Sequence, residues 1–117
     1  MHNGKKNRDK NLERRILRHM FRSFLLWLLS KQELHGYELI RILQQDKGFP
    51  AVTASKVYPL LSELCENGLI SQKTEMHGKR AKKIYKTTAK GREALVNCKK
   101  HVASSPLRKQ FLQEMSS

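Results

Sequence analysis

Thr53-Ala-Ser-Lys-Val-Tyr-Pro-Leu-Leu-Ser-Glu-Leu-Cys-Glu-Asn-Gly68 reads as one helix with two different edges. Val57, Leu60, Leu61, Leu64 and Cys65 recur at three- and four-residue steps, so a helix puts them on one face against a core. The first turn, Thr53, Ala54, Ser55 and Lys56, carries only small groups and one cation. Thr53 is the expected N-cap and Asn67-Gly68 the expected stop. Pro59 falls inside the stretch, where it deletes a backbone donor. Either the helix opens as a looser turn and becomes regular at Pro59, or it is kinked there. Taken alone, the stretch also suits an ordinary core helix of a small helical domain.

The residues before it narrow the choice. From about Leu12 to Ser30, Ile16, Leu17, Met20, Phe21, Phe24, Leu25, Leu28 and Leu29 share one helical face, opposite Arg14, Arg15, Arg18 and Arg22. The run Phe24–Leu29 is apolar all round, which calls for cover on more than one side, with a second subunit as one source. Trp27 lies off the centre of the stripe, a place for core or subunit packing. Lys31 to Gly36 breaks the pattern. A second helix then carries Tyr37, Leu39, Ile40 and Leu43 and ends near Asp46-Lys-Gly48. Phe49-Pro50-Ala-Val52 is a short connector, because Pro50 blocks continuation. Helix, short connector, second helix with a capped start is the helix-turn-helix order.

After Gly68 the period changes to that of strands. Leu69–Glu75 and Lys82–Thr87 read as two short strands, with Met76-His-Gly-Lys-Arg80 as the hairpin tip. Thr88-Ala-Lys-Gly opens another helix bearing Ala94, Leu95, Cys98 and Val102 on one face. Ser105 caps and Pro106 begins a last segment, whose stripe is Leu107, Phe111, Leu112 and Met115. That stripe either makes dimer contacts or folds back on its own core. The fold class expected is therefore mainly α with a small β-hairpin wing: a winged helix-turn-helix over 12–103, with a C-terminal helix over 104–117 for dimerisation. Residues 1–11 are expected to form a disordered basic arm.

Charge indicates the partner. The 117 residues carry a formal net charge of +14. Residues 1–22 hold eight cations against Asp9 and Glu13, a net of about +6, and residues 71–101 hold ten against Glu75 and Glu93, a net of about +8. Two basic blocks flank a nearly neutral middle, which fits an arm and a wing on either side of a helix that reads nucleic acid. The first turn of the Thr53 helix then suits base edges and phosphates. A generic basic surface or an acidic membrane explains the clustering less well. No long apolar span and no signal-peptide layout occur, so a cytoplasmic protein without membrane association is expected.

Chemistry is sparse. Cys65 and Cys98 form no CxxC pair and fit a reducing compartment. His2, His19, His35, His77 and His101 are scattered with no ligand spacing on one helix face, so no metal and no cofactor are expected. His35 reads as a helix-entry residue. Cys65 is expected to be buried and inert, and Cys98 to pack on the last helix. No nucleophile triad, phosphate loop or carboxylate pair marks an enzyme.

With these elements placed, the sequence resembles the PadR family of transcriptional regulators. The resemblance runs from about Phe24 to Val102. It is carried by Leu34-His-Gly-Tyr-Glu-Leu-Ile40, Val57-Tyr-Pro-Leu-Leu61, Leu64-Cys-Glu-Asn-Gly-Leu-Ile70 and Tyr85-Lys-Thr-Thr-Ala-Lys-Gly-Arg-Glu-Ala-Leu95. It implies a dimeric, cytoplasmic regulator of double-stranded DNA, most often a repressor on an inverted repeat, with release by a small-molecule effector in some relatives. It puts Thr53, Ser55, Lys56 and Tyr58 at the DNA, with Gly78, Lys79, Arg80, Lys82 and Lys83 on the wing. Two places depart from the family pattern. Ala81 stands where a proline is common, and Ile84-Tyr85-Lys86-Thr87 replaces paired aromatics followed by leucine. The alternative is a non-specific architectural winged helix on DNA or RNA.

Overall fold

The computed structural model describes residues 3–46 and 52–117, with side chains in the first helix described from Lys10 onward except those of Glu13 and Leu17. The elements run α1 (Asn3–Lys31), β1 (Leu34–His35), α2 (Gly36–Gln45), α3 (Ala54–Glu66), β2 (Ile70–His77), β3 (Arg80–Thr87), α4 (Ala89–Ala103) and α5 (Pro106–Ser116). The strands form one antiparallel sheet in the order β1-β3-β2. The mainly helical winged architecture is thus as expected, with one addition. β1 is a two-residue strand that pairs Leu34 with Tyr85 and His35 with Ile84. The connector at Phe49-Pro50-Ala51 lies outside the described residues.

The first helix corrects one expectation. No break separates an arm from the helix: α1 begins at Asn3, so residues 3–11, expected to be disordered, are helical. Lys5, Lys6, Arg8 and Lys10 are strong helix formers with no proline among them. Once the buried half has nucleated the helix, each further residue adds one hydrogen bond. At about 1.5 Å per residue, α1 is on the order of 44 Å long. Its outer half extends past the core, which fits a Cα radius of gyration of 16.7 Å, where a spherical chain of this length has about 13 Å.

The core gathers Leu25, Leu26 and Leu29 of α1, Leu34, Leu39 and Leu43, Val57, Leu60, Leu61 and Leu64 of α3, and Ile70 and Tyr85 of the sheet. Each of these large aliphatic side chains contributes about 1.5–3 kcal/mol when fully buried. The stripe expected on α1 is buried only in its second half. Leu25 and Leu29 lie inside, Phe21, Phe24 and Leu28 pack at the edge, and Ile16 and Met20 are exposed.

Three backbone devices orient α3 and the wing. Gly68 takes φ 73°, the Leu69 N–H donates to the Leu64 carbonyl (3.0 Å) and the Gly68 N–H to the Cys65 carbonyl (3.0 Å), so α3 ends in a Schellman motif. The Thr88 hydroxyl donates to the Gly68 carbonyl (2.6 Å) and accepts from the Gly91 N–H (3.1 Å), so the same side chain caps α4 and holds the end of α3. Gly91 is fixed by space. A Cβ there would lie 2.2 Å from the Leu69 carbonyl oxygen and 2.6 Å from Thr87 Cγ2.

Candidate nucleic-acid interface

α3 is continuous through Pro59. Its first turn is the looser one: Lys56 and Val57 both donate to the Thr53 carbonyl, each at 3.1 Å. The bond that Pro59 cannot donate to Ser55 is lost on the exposed side, where Ser55 and Pro59 both lie open. Val57, Leu60, Leu61 and Leu64 anchor the opposite side.

Thr53, Ser55 and Lys56 are all exposed. Thr53 occupies the N-cap position, but its side chain makes no capping bond. Its hydroxyl lies 3.0 Å from that of Ser55. The two hydroxyls, Lys56 and the positive end of α3 together present donors and positive potential to solvent. Tyr58 differs from its neighbours. It is 41% exposed, yet its ring covers the first residue of α2: a Cβ on Gly36 would meet Tyr58 Oη at 2.8 Å and Cε1 at 3.0 Å. Its position therefore depends on the second helix as well as its own.

The wing is longer and tighter than expected, with strands meeting at a two-residue tip of Gly78 and Lys79. Gly78 takes φ 64° and has open space around it. Pairing runs from Ile70 opposite Thr87 to His77 opposite Arg80. Lys79, Arg80 and Lys83 are exposed. Lys82 is half-buried because its ammonium sits 5.0 Å from the centroid of the Tyr37 ring. Since side chains alternate across a sheet, Lys83 points to the other face, where its charge acts on Cys65.

α1 holds α3 and the wing. The Arg22 guanidinium donates to the Glu63 carboxylate of α3 at 2.7 Å, although the sequence pattern placed Arg22 on the outer polar face. The Thr87 hydroxyl, 1% exposed as a residue, donates to the Leu26 carbonyl at 2.7 Å. Neither pairing has a local sequence signal, because each joins residues far apart in the chain.

The histidines are not all scattered. His35 N-caps α2, as expected. Glu38 accepts from its backbone N–H at 2.9 Å and from its ring Nδ1 at 2.6 Å. These two bonds, the backbone one first, hold the Glu38 carboxyl below its usual value, with Arg41 adding to the effect. Across the sheet, His35, Glu75 and His77 converge, a cluster the sequence spacing did not suggest. Cys65 is half-buried, and burial pushes its thiol up. Cys98 lies in the α4–α5 groove beside Val102 and Leu112, next to the last helix as expected, but is exposed.

Comparison with known proteins gives consistent results. Residues 25–97 match the sequence model of the Transcriptional regulator PadR-like family. The negative transcriptional regulator PadR of Bacillus subtilis (strain 168) is 36% identical over 73 residues, 61% of this chain and 40% of that protein. The chain thus spans about two fifths of that relative's length. The crystal structure of Bacillus subtilis PadR in complex with operator DNA aligns with a TM-score of 0.59 at 31% identity, covering 67% of this chain and 44% of the other. A PadR family transcriptional regulator from Eggerthella lenta DSM 2243 aligns with a TM-score of 0.64 at 28% identity, over 88% of this chain and 94% of the other.

Proposed function

Because the chain belongs to the PadR-like family of transcriptional regulators, we propose that it is a sequence-specific regulator of double-stranded DNA rather than an enzyme. The observation that carries this reading is the first turn of α3. Thr53, Ser55 and Lys56 stand exposed at one end of a helix whose other side is locked into the core. That turn enters the major groove and reads base edges, while Lys79, Arg80 and Lys83 of the wing neutralise phosphates. Tyr58 sits at the DNA as part of the same surface. Lys82 joins the phosphate contacts from beside Tyr37. A relative that shares this fold has been solved on operator DNA.

In this reading the regulator acts as a homodimer, a repressor on an inverted repeat in the cytoplasm. Support for the dimer comes from apolar side chains left in solvent: Leu12, Ile16 and Met20 on α1, and Leu107, Phe111, Leu112 and Met115 on α5. A stripe of this size is unusual on a monomer. Among the described residues no helix is long and apolar enough to cross a membrane.

A second reading, non-specific architectural binding to DNA or RNA, is favoured by the net charge of +14 and by the basic α1. Sequencing of genomic fragments bound by the purified protein, in competition with bulk DNA at moderate salt, separates the two. One enriched palindromic motif near promoters supports the regulator, and a Lys56→Ala variant then loses that enrichment. Broad enrichment without a motif establishes the architectural reading instead.

A further inference from the structure

We propose that His35, Glu75 and His77 form a binding site for a divalent late first-row transition metal, of which Zn(II) is the representative, joining the wing to the start of α2. The register brings them together. His35 on β1 lies opposite Ile84, Glu75 on β2 opposite Lys82, and His77 opposite Arg80. Alternation along β3 puts residues 80, 82 and 84 on one sheet face, so their three partners share that face. The Glu75 Oε2 atom lies 3.5 Å from His35 Nε2 and 3.5 Å from His77 Nε2. All three ligand atoms fall within 4.8 Å of one another. Two donors bonded to zinc at about 2.0–2.1 Å in tetrahedral geometry are about 3.3 Å apart. Two of the three separations are therefore already near the required value, and the third ligand, His77, is exposed.

His35 is prepared as a ligand. Its Nδ1 lies 2.6 Å from the Glu38 carboxylate, so in the neutral ring the proton belongs on Nδ1 and Nε2, facing Glu75, is free to ligate. That Nε2 is buried and has no hydrogen-bond partner. A carboxylate behind a ligating histidine is the usual outer partner of a metal-bound imidazole. Tyr37, stacked on the His35 ring at 5.4 Å, fixes the ring plane. The same Tyr37 holds the Lys82 ammonium over its own face, which draws off the cation lying opposite Glu75. Two imidazoles and one carboxylate suit zinc, nickel or copper better than calcium or magnesium, and three protein ligands leave a further position for water. His35 ends β1 and N-caps α2, and Glu38 lies in the first turn of α2, while Glu75 and His77 belong to the wing. Metal therefore ties these two elements together, and in the DNA-binding reading, on which this consequence alone rests, it sets the position of the wing.

The test is titration of the full chain with Co(II), read by the visible d–d absorption of four-coordinate cobalt, followed by displacement with Zn(II). The expected result is saturation at one equivalent per chain. Glu75→Gln and His77→Ala, both on the exposed end of the wing, weaken binding by about tenfold or more, and Glu38→Gln, which touches no metal, also weakens it about 10–100-fold. Changing His2, His19 and His101 together to Asn leaves it unaltered. Absence of the band in the wild-type chain, or a band that persists when Glu75→Gln and His77→Ala are combined, overturns the site. DNA titration at fixed salt with and without Zn(II) is a separate readout, so loss of DNA binding cannot be mistaken for loss of the metal site.

Discussion

Gly36, the first residue of α2, lies against the ring of Tyr58 on α3, with room for a hydrogen but not for a methyl group. The contact joins the two sequence pieces that most specifically carry the family resemblance, His35-Gly-Tyr-Glu38 and Tyr58-Pro-Leu-Leu61. Gly36→Ala pushes the Tyr58 ring outward. Because that ring is partly exposed and free to swing, the stability cost is about 1 kcal/mol, at the low end for overpacking. Tyr58→Phe removes the nearest atom and recovers part of the loss. Urea denaturation of the two single variants and the double variant checks this, and strictly additive effects would contradict the contact.

Gly91 has no such freedom. Its neighbours are the Leu69 carbonyl and the Thr87 side chain, both fixed. Gly91→Ala is expected to cost about 3 kcal/mol or more, since backbone has to move. Thr87→Val keeps the shape but removes the hydroxyl bonded to Leu26, and is expected to cost about 1–2 kcal/mol. Thermal melts that ranked these two in the opposite order would refute the packing argument.

The wing cations predict a graded salt response. Each phosphate contact removed lowers the slope of log affinity against log salt by about 0.9. Lys79→Ala and Arg80→Ala are expected each to show that change with similar loss on operator and random DNA. Lys56→Ala loses more on operator DNA than on random DNA. Fluorescence anisotropy at three salt concentrations distinguishes these behaviours. Wing variants that lose operator binding alone would place base reading in the wing.

The two thiols are expected to react at different rates. Burial raises the Cys65 thiol above its usual value, so its reactive thiolate is scarce at neutral pH and is shielded besides. Cys98 is exposed. Iodoacetamide labelling followed by mass spectrometry should modify Cys98 first in the native chain and both equally in strong denaturant. Faster native labelling of Cys65 would show that α3 opens locally.

The exposed stripe on α5 gives a prediction about assembly. Leu107 is 75% and Phe111 59% exposed. If the proposed homodimer uses this stripe, replacing both with Ser is expected to shift the sedimentation from dimer to monomer without unfolding the chain, because neither side chain supports the core. A dimer that survives the change would move the interface to α1.

Much of this fold was legible because its boundaries are local. The glycines at 36 and 68, the Thr88-Ala-Lys-Gly helix start and the Ser105-Pro106 pair each act on backbone within a few residues. The periodic leucines of α3 named its buried face correctly. What escaped depends on distant pairing. β1 is a strand only because Tyr85 and Ile84 arrive beside it. The convergence of His35 with Glu75 and His77 needs the sheet register, and Arg22 meets Glu63 across 41 positions. The reach of α1 back to Asn3 was missed because a polar composition was read as disorder, although lysine and arginine favour helix. For the candidate interface, exposure of Thr53, Ser55 and Lys56 was foreseen, whereas the placement of Tyr58 over Gly36 and of Lys82 over Tyr37 was not.

Within two turns of α1, Arg22 grips α3 and the Leu26 carbonyl grips the wing through Thr87. The two elements thus share one axle. A displacement of α1 at these two residues is therefore expected to carry α3 and the wing together. In the DNA-binding reading proposed above, the spacing between α3 and the wing is thus set by a single helix.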